Sequence, residues 1–182
     1  MEHGRHQRPA GWVSALAGLE AGMVAVLFML LWLALTSRLY RRSMWTTINL
    51  MASLFYGEAA IEPRFGWKSL SGIAVYLLLY SALGALFALV VRGWGTRPRA
   101  ILLGIAFGIV WYLLSFKLLW KTLDPWLALY THDRPMLAGH VLYGALLGRL
   151  PRYVQRLWNE PSRAVSTPIE TGETGTPPGN FS

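Results

Sequence analysis

The chain has 182 residues, 54% of them apolar and only 14% charged, with a mean hydropathy of +0.36 and a formal net charge of +8. The charges cluster between long uncharged runs, which places the chain in the membrane class rather than among soluble domains. The absence of cysteine excludes disulfides, thiolate metal sites, iron–sulfur clusters and cysteine nucleophiles, and the basic excess forms no stripe of the kind nucleic-acid binding needs.

Residues 1–11 form a polar N-terminal segment carrying Arg5 and Arg8. The first apolar run follows, and a span is expected over about 13–36, because residues 21–37 contain no Asp, Glu, Lys or Arg and about 20 helical residues cross a bilayer core of about 30 Å. A cleaved signal peptide is the alternative, since the start is basic. The run is nevertheless longer than the roughly 7–15 residues of a signal h-region, and no A-x-A site follows it. Segment 44–57 is uncharged but too short to cross. Its apolar Met44, Ile48, Met51 and Phe55 recur at helical spacing, which predicts an interfacial helix or a re-entrant piece in the first loop.

Residues 69–91, SLSGIAVYLLLYSALGALFALVV, give the cleanest span. A third is expected over 100–120, with Lys117 snorkelling to the interface. The fourth, 135–150, is short; Asp133 is placed to cap it, Pro135 suits its first turn, and Pro151 should end or kink it. Residues 159–182 are rich in Pro, Gly, Thr and Ser and predict a disordered tail. The fold class is therefore all-α: a polytopic membrane domain over 12–158 with four transmembrane helices and an interfacial helix in its first loop. Trp45, Trp67, Trp94, Trp120 and Trp126 fall near span ends, as interfacial anchors should.

Four spans put both termini on one side. That side carries nine Lys and Arg against eight on the other, so the positive-inside rule is nearly balanced; both termini are read as cytoplasmic, with the RLYRR cluster at 38–42 as the main evidence against it. The excess of Arg over Lys, 14 to 3, fits a GC-rich bacterial genome, and the expected location is a bacterial inner membrane.

Helix-packing signals recur along the chain. Gly18/Gly22 and Gly104/Gly108 are G-x-x-x-G pairs 86 residues apart, each followed by LLW, while LYSAL at 79–83 and LYGAL at 142–146 are 63 apart. The difference matches the extra segment 44–66, so two repeated helical hairpins are one reading and chance recurrence of common membrane residues is the other. Gly144 and Gly148 add a third pair. Lipid gives apolar helices no hydrophobic reason to associate, so close backbone approach at such pairs drives packing. The same pairs leave a homo-oligomer or a larger membrane complex open.

Two ionisable residues lie inside spans, Glu20 and His140. Such residues are costly in lipid and suggest function. Two residues of helix place Glu20 about 160° around from Gly18 and from Gly22, on a face with Leu16, Met23, Val24 and Leu27. His140 rides the ridge of Gly144 and Gly148. Counting axial rise from Val13 and from Leu150 gives depths of about 10 and 15 Å, so a Glu20–His140 pair, or a shared water, is the candidate intramembrane site. The alternatives are an interfacial Glu20 near Arg97 or Arg99 and a purely structural hydrogen bond at His140.

No H-E-x-x-H, nucleophile elbow or P-loop occurs, no span holds paired carboxylates, and haem ligation between helices needs a second histidine in a span. No enzyme, cofactor or metal is expected. A glycine-rich first helix, four spans and a final H-x-x-Y-G-x-x-x-G helix (His140, Tyr143, Gly144, Gly148) resemble small uncharacterised bacterial inner-membrane proteins, similar in style to the YagU-like family; the resemblance implies the membrane setting and no activity. The functional expectation is a structural or accessory membrane component whose first partner is the lipid bilayer. The alternative is a small oligomeric transporter or channel with a proton-linked polar site.

Overall fold

The computed structural model describes residues 11–91 and 97–155. The polar start, the tail 159–182 and Trp94 lie outside the described residues. Every regular element described is helical. Helix α1 (Gly11–Leu39) has 29 residues and no proline, and it rises about 44 Å, well beyond the bilayer core. After the first loop comes α4 (Trp67–Val90, 24 residues). The third long helix starts as α5 (Arg97–Tyr112), widens into a π-helical stretch at Leu113–Leu119 and closes as α6 (Trp120–Leu123). These three helices are long and apolar enough to cross a membrane. The last, α8 (Asp133–Leu147), has 15 residues and rises only about 22 Å. A turn at 148–149 separates it from a further helical segment at 150–155.

The helices assemble as two close pairs. Helix α1 lies along α4, α5 lies along α8, and an α1–α8 contact joins the pairs. The Phe87 and Phe107 rings, 5.3 Å between centroids, bridge α4 to α5. Outward faces are apolar: Leu16, Met23, Leu27, Leu31 and Leu35 run as an exposed stripe down α1. A soluble monomer rarely presents so continuous an apolar surface, but lipid wets it without cost.

Helix α1 stops by a defined device. The Thr36 hydroxyl donates to the Trp32 carbonyl (2.9 Å) and the Ser37 hydroxyl to the Leu33 carbonyl (2.8 Å). Then Arg42 N–H bonds back to the Ser37 carbonyl and Arg41 N–H to the Arg38 carbonyl, at 2.9 and 3.0 Å. That pair of bonds is a Schellman cap, and it puts Arg41 at the left-handed position usually taken by glycine, with φ +57°.

The first loop is packed into the bundle. Helices α2 (Met44–Met51) and α3 (Ser53–Tyr56) precede a 3₁₀ turn at Gly57–Ala60. Ile48, Leu50 and Met51 are buried against α1 and α4, and the backbone of Ile48 sits on Gly72. Phe55 is exposed, because the helix is interrupted at Ala52 and Phe55 leaves the face that Ile48 and Met51 share. Asn49, fully enclosed, donates to the Glu62 and Arg64 carbonyls (2.7 and 3.1 Å) and so ties the loop's return to its own helix.

Two local expectations need correction. Asp133 does not cap α8; it is the first helical residue, and its carboxylate meets Lys117 Nζ at 3.0 Å. That hydrogen bond from the ammonium holds the Asp133 carboxyl below the ordinary aspartate range. The carboxylate that does cap a helix is Asp124, whose Oδ1 accepts the Leu127 N–H (3.2 Å) at the start of α7 (Pro125–Tyr130) while Oδ2 accepts the Ser53 hydroxyl (2.6 Å). Trp120 is buried, not an interfacial anchor, because the π-helical stretch rotates it inward. Trp67, by contrast, is 82% exposed.

Candidate functional site

Close approach of helix backbones sets the geometry of the interior. A Cβ at Gly18 would strike the Gly84 carbonyl and Ala88, and one at Gly22 would lie 2.8 Å from the Tyr80 carbonyl. The second pair repeats the arrangement. A Cβ at Gly104 would strike the Gly144 carbonyl, one at Gly108 the His140 carbonyl, and one at Gly148 would lie 2.9 Å from the backbone nitrogen of Ile101. In this packing His140 takes the place on α8 that Tyr80 takes on α4, a separation of 60 residues. The LYSAL and LYGAL motifs match at 63 residues, so the sequence likeness sits one helical turn out of the packing register.

The candidate site is built where the two pairs meet. The Tyr80 hydroxyl and His140 Nε2 are 2.8 Å apart. His140 Nδ1 lies 2.8 Å from the Met136 carbonyl, one turn back along α8. A peptide carbonyl only accepts, so Nδ1 carries the proton. In a neutral ring Nε2 is then the acceptor, and the Tyr80 hydroxyl donates to it. The Tyr143 hydroxyl donates to the Tyr80 carbonyl at 2.6 Å. The rings close around these bonds. Tyr80 meets Tyr143 edge-on (5.0 Å between centroids), and Tyr112 and Phe116 meet the imidazole edge-on at 5.5 and 5.9 Å. His140 and Tyr143 are 0% exposed and Tyr80 is 2% exposed. On the helices that build this centre, the Tyr76 and Ser81 hydroxyls are buried without a hydrogen-bond partner among the described residues.

The structure does not bring Glu20 and His140 together. Both imidazole nitrogens are taken by Tyr80 and Met136. Depth separates the residues as well. Gly139, next to His140, packs on Met29, Trp32 and Leu33 of α1, and Met29 is nine residues beyond Glu20, about 14 Å along the helix. The Trp32 Nε1–H bond to the Pro135 carbonyl (2.9 Å) fixes that register. The sequence estimate took Val13 and Leu150 as the same level; α8 in fact sits further along α1, and the chain continues helically to 155. Glu20 is half-buried at the edge of the lipid-facing stripe.

Tyr80, Tyr112 and Asp124 were not singled out as site residues by the sequence. Tyrosines inside the second and third spans were the available signal, since a buried phenol looks for a partner. For Asp124 the signal was the Asp-Pro step before PWLALY, a helix N-cap followed by its first-turn proline.

A second polar spot lies at the end of the bundle where α1, α2, α7 and α8 converge. It is a cavity of about 30 Å³ lined by Thr36, Ser37, Thr47, Thr131 and Arg42, among others. The Ser37 and Thr47 hydroxyls are 2.8 Å apart, while Thr131 Oγ1 is buried without a protein partner among the described residues. Its volume and donors suit one ordered water. Among the described residues no group of three His, Asp or Glu is placed to hold a metal ion.

Comparison with protein-family models, with curated proteins and with solved structures finds no match for the chain.

Proposed function

We propose that the chain is a multi-pass integral membrane protein that works as an assembled helical unit, a structural or accessory component of the membrane rather than a conduit or an enzyme. One observation carries this reading. The ionisable residue in the middle of the bundle, His140, is completely enclosed, and protein atoms occupy both its nitrogens. A residue serving a transport path has to meet water or substrate; one that locks helices together has to meet its neighbours. The repeated glycine contacts in the α1/α4 and α5/α8 pairs support descent from two helical hairpins. In this reading α8, with its helical continuation to 155, is a fourth span beside the three long apolar helices, and both termini face the cytoplasm of a bacterium. The backbone-tight pairs are used within the chain, so an oligomer would form through the outer faces of the bundle.

The second reading, a small proton-linked transporter, draws on the unpartnered Tyr76 and Ser81 hydroxyls of α4, which could hold waters in a hydrated state of the bundle. Flux separates the two. Proteoliposomes containing the wild type, H140Q or E20Q, placed under a proton gradient, should dissipate it no faster than empty liposomes. Dissipation by the wild type that H140Q abolishes would establish the transporter instead.

A further inference from the structure

The RLYRR segment at 38–42 does more than end α1. Arg38, Arg41 and Arg42 line one open depression of about 350 Å³, together with Ser43, Met44 and Trp45. No carboxylate lines it, and among the described residues none pairs with these three guanidinium groups, since the ion pairs there are Lys68–Glu62 and Lys117–Asp133. Arg42 is held in place by its Nη1 bond to the Tyr130 carbonyl, 2.9 Å. Arg41 occupies the left-handed cap position where glycine would be at ease, so the chain carries an arginine there against its backbone preference.

With α1 crossing the bilayer, the depression falls at the level of the lipid headgroups. Residues 21–37 of α1 are uncharged, and Arg38 is the first charge after them. It follows Leu31 by seven residues and Leu35 by three, which puts it on the same helix face. Both leucines are exposed. An apolar stripe that runs into a cluster of forked cations fits a molecule with acyl chains below and a phosphate above. A free phosphate would use the cations alone, whereas a lipid uses both the cations and the exposed leucines that lead up to them. The structure assigns this depression to the phosphate of an anionic membrane lipid, seated on Arg38, Arg41 and Arg42 with its chains along Leu31 and Leu35. The assignment rests on the helices crossing a membrane, not on whether the interior at His140 is closed.

Native mass spectrometry and thermal unfolding in a non-ionic detergent test it, with phosphatidylglycerol, phosphatidylcholine and glycerol 1-phosphate in separate arms. Wild-type protein should retain phosphatidylglycerol and unfold at a higher temperature with it. Phosphatidylcholine keeps the phosphate but sets a choline cation against the three arginines, so it should be retained about tenfold less. Glycerol 1-phosphate at the same concentration should neither shift unfolding nor displace the lipid. Arg41→Gly keeps the helix cap and relieves its backbone, so it should fold at least as well as the wild type yet hold phosphatidylglycerol at least about tenfold more weakly; Arg38→Gln should show the same loss. Undiminished phosphatidylglycerol retention by both variants would overturn the assignment. So would glycerol 1-phosphate binding as tightly as the lipid, which would mark a soluble-anion site.

Discussion

His140 shows how a polar residue is accommodated far from water. An imidazole placed in lipid or in an apolar core is stable only when its donor and acceptor both find partners. Met136, one turn back on the same helix, supplies the acceptor for Nδ1, and Tyr80 of another helix supplies the donor for Nε2. The first bond fixes the tautomer and the second joins the helix pairs. Tyr80→Phe keeps the ring packing and deletes only the donor, leaving a buried nitrogen unsatisfied at about 1–3 kcal/mol. Unfolding in detergent should register that loss, and a change below about 0.5 kcal/mol would mean water replaces the hydroxyl. Glu20 belongs to a different level of the bundle. The stability changes of Glu20→Gln and His140→Ala should therefore add within about 0.5 kcal/mol in the double variant, and a larger coupling would put the two residues in contact.

Among the elements, the glycines decide which helices touch. At Gly104 and Gly108 the opposing atoms are backbone carbonyls of Gly144 and His140, which cannot swing aside as a side chain can. Gly108→Val should push α5 off α8 and cost at least about 1–3 kcal/mol. Gly66 is a control. It has open space where a Cβ would go and an extended backbone, φ −175°, so Gly66→Ala should stay within about 0.5 kcal/mol in the same melt. Equal losses from both would show that α5 and α8 are not in backbone contact.

The long apolar helices were legible in the sequence because lipid imposes length and composition on them. Which level of one helix faces which level of another was not legible, because that depends on where loops pull the ends. The first loop buries α2 into the bundle, and the π-helical stretch at Leu113–Leu119 turns Trp120 inward. The π-helical shift has no periodic signature, and the helical spacing of Met44, Ile48 and Met51 predicts a helix without saying what it packs on. The same offset defeated the Glu20–His140 depth estimate, and it places the LYSAL–LYGAL likeness one turn away from the packing register. Asp124 was missed for a different reason: a charged residue between two spans reads as a loop residue unless the helix it caps is recognised.

For the whole molecule, the open matter is whether the 15-residue α8 crosses. The chain has no cysteine, so single cysteines report topology without background. With four spans, Glu58→Cys and Arg134→Cys should label from one face of the membrane, and Arg99→Cys and Arg152→Cys from the other. Were α8 to stay on the side where it begins, Arg152→Cys would label together with Arg134→Cys.

The central claim is that the bundle interior at His140 is a closed lock. Solid-state NMR of the imidazole nitrogens in lipid bilayers tests it most directly. The account predicts a single species with Nδ1 protonated and Nε2 accepting, and no magnetisation transfer to the ring from mobile water. An Nε2–H, or a ring signal that builds up from water, would contradict it and open the interior to the transport reading.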